Sequence, residues 1–113
     1  MTRDPHAVAS DHLEAVRSGE PAAMAADYAD GATLHRAGEV HRGRPAIEAY
    51  FTTVPDRLGD ATVVFDELSV TGNLATFRWH LEGAPAPVSG TDTCTIEDGL
   101  IVKQVVALDD ADF

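Results

Sequence analysis

The sequence contains a single cysteine, Cys94, which excludes an internal disulfide and a zinc site built from several cysteines. Long apolar runs are also missing, since the longest spans only a few residues and a membrane-spanning helix needs roughly 20. No charged start leads into an apolar stretch of the kind that forms a signal peptide. We therefore expect a cytoplasmic protein with no membrane partner.

Basic residues are scarce. The chain has 8 Lys and Arg against 19 Asp and Glu, which gives a formal net charge of −11. Such an acidic chain is repelled by phosphate groups, so we expect no nucleic-acid partner and no binding to anionic membranes. The one basic segment, residues 35–44, is interpreted as a loop that offsets the surrounding acid.

Motifs of several large enzyme classes are absent. The sequence has neither a glycine-rich phosphate loop nor a Gly-x-Ser-x-Gly nucleophile motif. His35, Glu39 and His41 match no familiar metal-ligand spacing, so we predict no metal site and no cofactor. What is present is 44% apolar and 24% charged residues, a composition typical of one globular domain over residues 1–113.

The first half of the chain predicts three helices. Each begins with a proline in its first turn, and glycine, Asp-Gly or a second proline marks where it ends or bends. The predicted helices run over residues 5–19, 21–30 and 44–55, and the second of them carries Tyr28. A short strand over residues 32–36 and a loop over residues 38–43 separate the last two helices.

The second half predicts four consecutive strands, over residues 62–70, 74–81, 88–96 and 100–108. An Asp98-Gly99 turn joins the last two strands, and Asp-Gly is a strong signal for a hairpin. Helices that precede a run of strands indicate an α+β fold. We predict a curved antiparallel sheet wrapped around the three helices, which gives a cone with an internal pocket.

Asp92 is the most informative position for chemistry. On its strand it shares a face with Val88, Gly90, Cys94 and Ile96, which favour burial. A carboxyl group in such surroundings should have a raised pKa, because desolvation disfavours the ion. Its protonated form could then donate a hydrogen bond to a developing oxyanion. The alternative is that Asp92 stays wet near the strand end or pairs with an arginine.

Gln104 and His12 are polar residues at positions expected to face the core. Gln104 shares strand parity with Leu100, Val102, Val106 and Leu108, so its amide needs buried partners, either a ligand or groups such as Asp92. His12 lies in the apolar stripe of the first helix. It is a candidate general acid or base, and the alternative is a structural core histidine.

Aromatic residues supply candidate pocket walls. The only tryptophan, Trp79, alternates in phase with apolar neighbours on its strand and suits either the core or a flat apolar ligand. Tyr28 and Tyr50 each add a hydroxyl to an apolar ring. Both are interpreted as core residues first and as pocket donors second.

Two segments of the chain resemble a known family. SGEPAAMAADYADGATLHRAGEVHRGRPAIEAYF (residues 18–51) is similar to the opening of nuclear transport factor 2-like domains of the SnoaL-like and ketosteroid isomerase-like branch. TDTCTIEDGLIVKQ (residues 91–104) resembles the last two strands of that family and the turn between them. The resemblance implies a curved sheet around three helices, often dimeric through the sheet, in a fold that hosts several enzyme classes and plain binding modules.

The resemblance also assigns expected roles to residues. Ketosteroid isomerases of this fold use an Asp base and an oxyanion hole made of a Tyr and a protonated Asp. Asp92 matches the protonated Asp, the Tyr position falls on or beside His12, and the base position falls on Arg36 with His35 next to it. Arginine does not accept a proton at neutral pH, so efficient steroid isomerisation is not expected.

Two main hypotheses follow. The first is a proton-transfer enzyme, of isomerase or polyketide cyclase type, that acts on an apolar ketone-bearing ring compound. In it Asp92 is the acid or oxyanion donor, His12 or His35 is the base, and Arg36 holds a carbonyl or anionic group. The other substrate-binding residues are Tyr28, Phe51, Trp79 and Gln104. The second hypothesis is a non-catalytic ligand-binding or dimerisation module, and a purely structural partner-binding protein is a weaker third.

Overall fold

The molecule consists of a curved sheet that covers a group of helices. The computed structural model describes residues 3–84 and 87–109. Its helices are α1 (Pro5–Ser18), α2 (Pro21–Ala25), α3 (Arg44–Thr52) and α4 (Val54–Leu58). Its strands are β1 (Tyr28–Arg36), β2 (Glu39–Arg42), β3 (Thr62–Thr71), β4 (Leu74–Glu82), β5 (Ser89–Glu97) and β6 (Leu100–Leu108).

The six described strands form one sheet in the order β2-β1-β6-β5-β4-β3. The α+β class and the curved sheet around the helices are confirmed. The predicted antiparallel pairing holds for β3–β4, β4–β5 and β5–β6. Strand β1 pairs with β2 in antiparallel and with β6 in parallel. A parallel neighbour requires a long crossover, and the segment from α3 to β5 provides it.

Helix α1 begins and ends as its sequence predicts. The Asp4 side chain accepts a hydrogen bond from the Ala7 amide at 2.7 Å, and Gly19 ends the helix in the left-handed conformation. The buried face of α1 consists of Val8, Ala9, His12 and Leu13. His12 is therefore held against the sheet by the packing of its apolar neighbours.

Three local predictions were wrong. The second helix stops at Ala25, and Tyr28 opens strand β1. The predicted loop over residues 38–43 contains strand β2, joined to β1 by a turn in which Ala37 and Gly38 both have positive φ, as two-residue hairpins require. The third helix breaks at Thr53 into α3 and α4, and Pro55 lies in the first turn of α4, where its missing N–H costs nothing.

A bulge in the β5–β6 pairing changes which residues face the core. Ile96 lies opposite Ile101 and Thr95 opposite Lys103, so Val102 is the extra residue. Ile101 and Gln104 are consequently both buried, at 0% and 2% exposure. The predicted face-sharing of Gln104 with Val106 and Leu108 holds beyond the bulge, but that with Leu100 and Val102 was wrong.

Candidate functional site

A cavity of about 70 Å³ lies between the helices and the concave face of the sheet. Most of its lining is apolar and comes from α1, α3, α4, β3, β4 and β6. The polar side chains in the lining are His12, Tyr50, Trp79, Asp92 and Gln104. Its volume is below the roughly 300–1,000 Å³ of sites for drug-sized ligands, so a ring compound would need side chains to move.

Asp92 is buried on the apolar face of β5, as its strand parity predicts, and is 7% exposed. Its Oδ1 accepts a hydrogen bond from Trp79 Nε1 at 2.9 Å, and its Oδ2 accepts one from Gln104 Nε2 at 2.7 Å. Burial raises the pKa of Asp92 from 3.8 to about 6, although the two hydrogen bonds oppose the shift. Asp92 is thus buried rather than wet, and its two oxygens are held by Trp79 and Gln104.

The indole of Trp79 is positioned by a glycine on the neighbouring strand. Gly90 lies opposite Trp79 in the β4–β5 pairing, and a Cβ at Gly90 would lie 2.7 Å from Trp79 Cζ2. Only a residue without a side chain lets the ring lie across this strand. The ring then presents Nε1 to Asp92, two residues further along β5.

A hydrogen-bonded chain runs from Asp92 through Gln104 and Tyr28 to His12. The Gln104 Oε1 accepts a hydrogen bond from the Tyr28 hydroxyl, and the Tyr28 oxygen lies 3.4 Å from His12 Nε2. The Tyr28 ring is fully buried and packs edge-on against the His12 ring. Burial raises the pKa of Tyr28 well above 10, so the hydroxyl keeps its hydrogen.

Charged groups lie between His12 and the molecular surface, although His12 Nδ1 makes no hydrogen bond within the described residues. His12 Nδ1 lies 3.5 Å from Asp27 Oδ2, and Asp27 Oδ1 accepts a hydrogen bond from Arg3 Nη1 at 3.0 Å. Arg3 also donates to the Gly99 carbonyl at 3.1 Å and pairs with Asp11 at 3.0 Å. Burial alone would raise the pKa of Asp27, but the contacts with His12 and Arg3 outweigh it and lower that pKa.

The structure brings together five of the predicted site residues around the cavity: His12, Phe51, Trp79, Asp92 and Gln104. Tyr28 lies behind Gln104 and is outside the lining.

The other two predicted residues also lie outside the cavity lining. His35 follows buried Leu34 on β1 and faces the opposite side of the sheet, where its Nε2 lies 3.1 Å from Thr33 Oγ1. Arg36 borders a separate depression with Tyr50 and Arg57, and Tyr50 contributes to both cavities.

Sequence reasoning missed Asp27 and Arg3. Both lie outside the helices and strands, where no periodic pattern indicates which way a side chain points. The contact between them also spans 24 residues of sequence. The sequence does show a charged residue, Asp27, directly before Tyr28. The helix predicted over residues 21–30 gave no indication that Asp27 lies beside His12.

Within residues 3–84 and 87–109, no group of three or more His, Cys, Asp or Glu side chains could hold a metal ion. None of the helices in that part of the chain is long and apolar enough to cross a bilayer.

A curved sheet folded over helices, with a buried carboxyl group in a mostly apolar cavity, defines a class of small α+β pocket proteins. The chain belongs to the SnoaL-like domain family, whose model matches residues 9–104. No sequence among the curated proteins matches it.

Solved structures share this fold. A proposed polyketide cyclase from Sinorhizobium meliloti is 23% identical, with 88% of this chain and 92% of that chain covered and a TM-score of 0.77. A proposed ketosteroid isomerase from Kribbella flavida is 18% identical, with 96% and 80% covered and a TM-score of 0.83. SalBIII, an epoxide hydrolase/cyclase-like enzyme with a role in pyran ring formation in salinomycin, is 19% identical, with 93% and 90% covered and a TM-score of 0.76. At these identities the likeness establishes the fold alone.

Proposed function

We propose that the protein binds a small apolar, ketone-bearing ring compound in the cavity and moves a proton on it, as an isomerase or a cyclase does. The observation that carries the proposal is Asp92, a buried carboxyl group in an apolar cavity with a pKa of about 6. A carboxyl group with such a pKa gives up and regains a proton readily near neutral pH. The family membership and the cyclase and isomerase neighbours support the same class of reaction.

In this mechanism Asp92 both removes the proton from the substrate and returns it. As a carboxylate, it accepts the two hydrogen bonds from Trp79 and Gln104 and removes a proton from the carbon next to the ketone. As the acid, it returns that proton or donates a hydrogen bond to the carbonyl oxygen. His12, another titratable group in the lining, is the candidate partner base, whereas Arg36 supplies charge at the margin beyond Tyr50.

Proton exchange tests the reaction directly. A panel of cyclic ketones is incubated in D₂O with the protein, and loss of the α-hydrogen signal is followed by NMR. We expect Asp92→Asn to slow exchange at least about 100-fold, the usual contribution of a general acid or base. Asp66→Asn, a matched change at an exposed carboxylate, should have no effect. Equal exchange by wild type and Asp92→Asn would remove Asp92 from the reaction.

A non-catalytic binding module is the second candidate. It is favoured because both carboxylate oxygens of Asp92 are already hydrogen-bonded to side chains of the protein. Quenching of the single tryptophan, Trp79, by a flat phenol measures binding separately from turnover. Saturable quenching with no exchange on any ketone would support this candidate over the enzyme.

We also propose that two copies associate through the outer face of the sheet. Val40, Leu74 and Val105 are 44%, 42% and 38% exposed. Strand pairing puts Val40 opposite His35 and puts His35 beside Val105, so these side chains share the face turned away from the helices. Leu74 lies opposite Thr95, which alternates with buried Cys94, and is therefore on the same face. Exposed apolar side chains on one sheet face are typical of an interface between copies.

A further inference from the structure

The buried chain from Asp92 to His12 has a definite direction of hydrogen bonding. Gln104 donates through Nε2 to Asp92 and accepts through Oε1 from the Tyr28 hydroxyl. Tyr28 has only one hydrogen, and this bond uses it. The Tyr28 oxygen therefore presents lone pairs to His12 Nε2, 3.4 Å away.

This direction determines where the hydrogens of His12 must be. Nε2 faces the lone pairs of Tyr28. Nδ1 makes no hydrogen bond within the described residues, and the carboxylate oxygen that it faces is that of Asp27 at 3.5 Å. Both ring nitrogens thus face acceptors, which suits a ring that carries a hydrogen on each nitrogen. In this first state Asp92 is a carboxylate and His12 is an imidazolium.

Reversing the amide of Gln104 gives a second state in which every bond is remade. A protonated Asp92 Oδ2 donates to the amide oxygen, the amide nitrogen donates to the Tyr28 oxygen, and the Tyr28 hydrogen turns to a bare His12 Nε2. Between the two states one N–H bond breaks at His12 Nε2 and one O–H bond forms at Asp92 Oδ2. No other group gains or loses a hydrogen.

We propose that Asp92 and His12 share one mobile proton through Gln104 and Tyr28. The cavity acid is thereby coupled to His12 at the other end of the chain, where Asp27 lies 3.5 Å from the ring. When Asp92 and His12 are both protonated, the Tyr28 oxygen faces two donors and the Tyr28 hydrogen lacks an acceptor. When neither is protonated, two acceptors face each other at one hydrogen bond of the chain. Each mismatch is buried and costs stability, so the first proton discourages the second.

The groups around each end are consistent with a coupled pair. Asp92 is faced by Trp79 from β4 and Gln104 from β6, with Cys94 on its own strand. Tyr28 on β1 and Tyr50 on α3 also lie near it.

His12 is faced by Tyr28 and Phe51, by Asp92 and by Asp27, with Arg3 behind Asp27. A further charged group approaches the Gln104–Tyr28 link from α3, because the Arg44 guanidinium donates to the Tyr28 carbonyl oxygen at 2.7 Å. The coupling gives the proposed reaction a route to reset Asp92 while a ligand fills the cavity.

The test is a titration of the ligand-free protein, so it does not depend on the proposed reaction. The protein is labelled with ¹³Cγ-Asp and ¹⁵N-His, and both signals are followed by NMR from about pH 4 to pH 9. Asp92→Asn and His12→Gln assign the two signals. We expect each signal to move in two steps with the same two midpoints, about one pH unit or more apart.

Two variants cut the link at different places. Gln104→Met keeps a similar volume without an amide, and Tyr28→Phe removes only the hydroxyl. In either variant we expect one step for each signal. Tyr50→Phe removes another hydroxyl from the cavity lining but lies outside the chain, so both steps should remain.

Single-step curves in the wild type, or two-step curves that persist in the linking variants, would overturn the coupling. If Gln104→Met does not fold, Tyr28→Phe decides. If coupling is found but ketones do not exchange, the shared proton stands and the proposed reaction fails.

Discussion

Gly90 shows how one missing side chain shapes the site. A Cβ at this position would lie 2.7 Å from Trp79 Cζ2 and 2.9 Å from the Ala107 carbonyl oxygen. We expect Gly90→Ala to displace the indole, break its hydrogen bond to Asp92 and lower the free energy of unfolding by about 1–3 kcal/mol.

Urea denaturation and Trp79 fluorescence measure both effects. Gly31→Ala is the matched control, because nothing lies within 4 Å of its Cβ position. Equal stability of the two alanine variants would show that the close approach to Trp79 carries no energetic weight.

The pKa of Asp92 makes stability depend on pH. The folded protein holds this proton with a pKa of about 6, against 3.8 for an ordinary Asp, so the fold is favoured where the group is protonated. The contribution is therefore lost as pH rises from about 4 to 6, and a shift of about two units corresponds to roughly 3 kcal/mol.

Asp92→Asn removes the carboxyl group and, with it, this dependence of stability on pH. We expect its stability relative to wild type to increase across this pH range by up to that amount. Chemical denaturation at about pH 4, 5, 6 and 7 measures the difference. A difference that stays constant with pH would contradict the raised pKa.

Among the elements, α1 carries His12 and depends on its cap. Asp4 accepts a hydrogen bond from the Ala7 amide at 2.7 Å, and replacing such a cap with alanine costs about 1 kcal/mol. We expect Asp4→Ala to destabilise the fold by that amount in urea denaturation. Glu14→Ala, at an exposed position within the same helix, is the control and should change stability by less. Equal effects of the two variants would mean that the cap contributes nothing specific.

The strands show which features the sequence predicts and which it does not. Alternation along β5 correctly placed Asp92 among buried residues, because a period of two leaves only two faces. The same rule failed before Gln104 on β6, where the bulge at Val102 shifts the alternation by one residue. A bulge depends on the pairing of two strands, so the pattern of one strand does not reveal it.

The errors around Tyr28 have a similar physical origin. Ala-rich sequence favours helix locally, but pairing with β6 makes the segment from Tyr28 a strand. This pairing is parallel and joins segments about 70 residues apart, which local propensity does not encode. The sequence therefore did not predict the link from Tyr28 to Gln104 or its continuation to Asp27, although it contains all three residues.

At the scale of the whole molecule, the outer sheet face and the net charge act against each other. Val105 is an exposed apolar residue on that face, next to Thr93 and His35. Each chain has a formal charge of −11, so two copies repel until salt screens them. We expect a dimer that weakens at low ionic strength and that Val105→Glu converts to a monomer by burying an unpaired charge.

Sedimentation velocity at low and physiological salt measures this equilibrium. Ala23→Glu adds the same charge at an exposed position on α2 and is the control, since it should leave the dimer intact at physiological salt. A wild-type chain that stays monomeric at high concentration and in salt would refute association through this face. A dimer unaffected by Val105→Glu would instead place the interface elsewhere, because a buried unpaired carboxylate costs more than one such contact contributes.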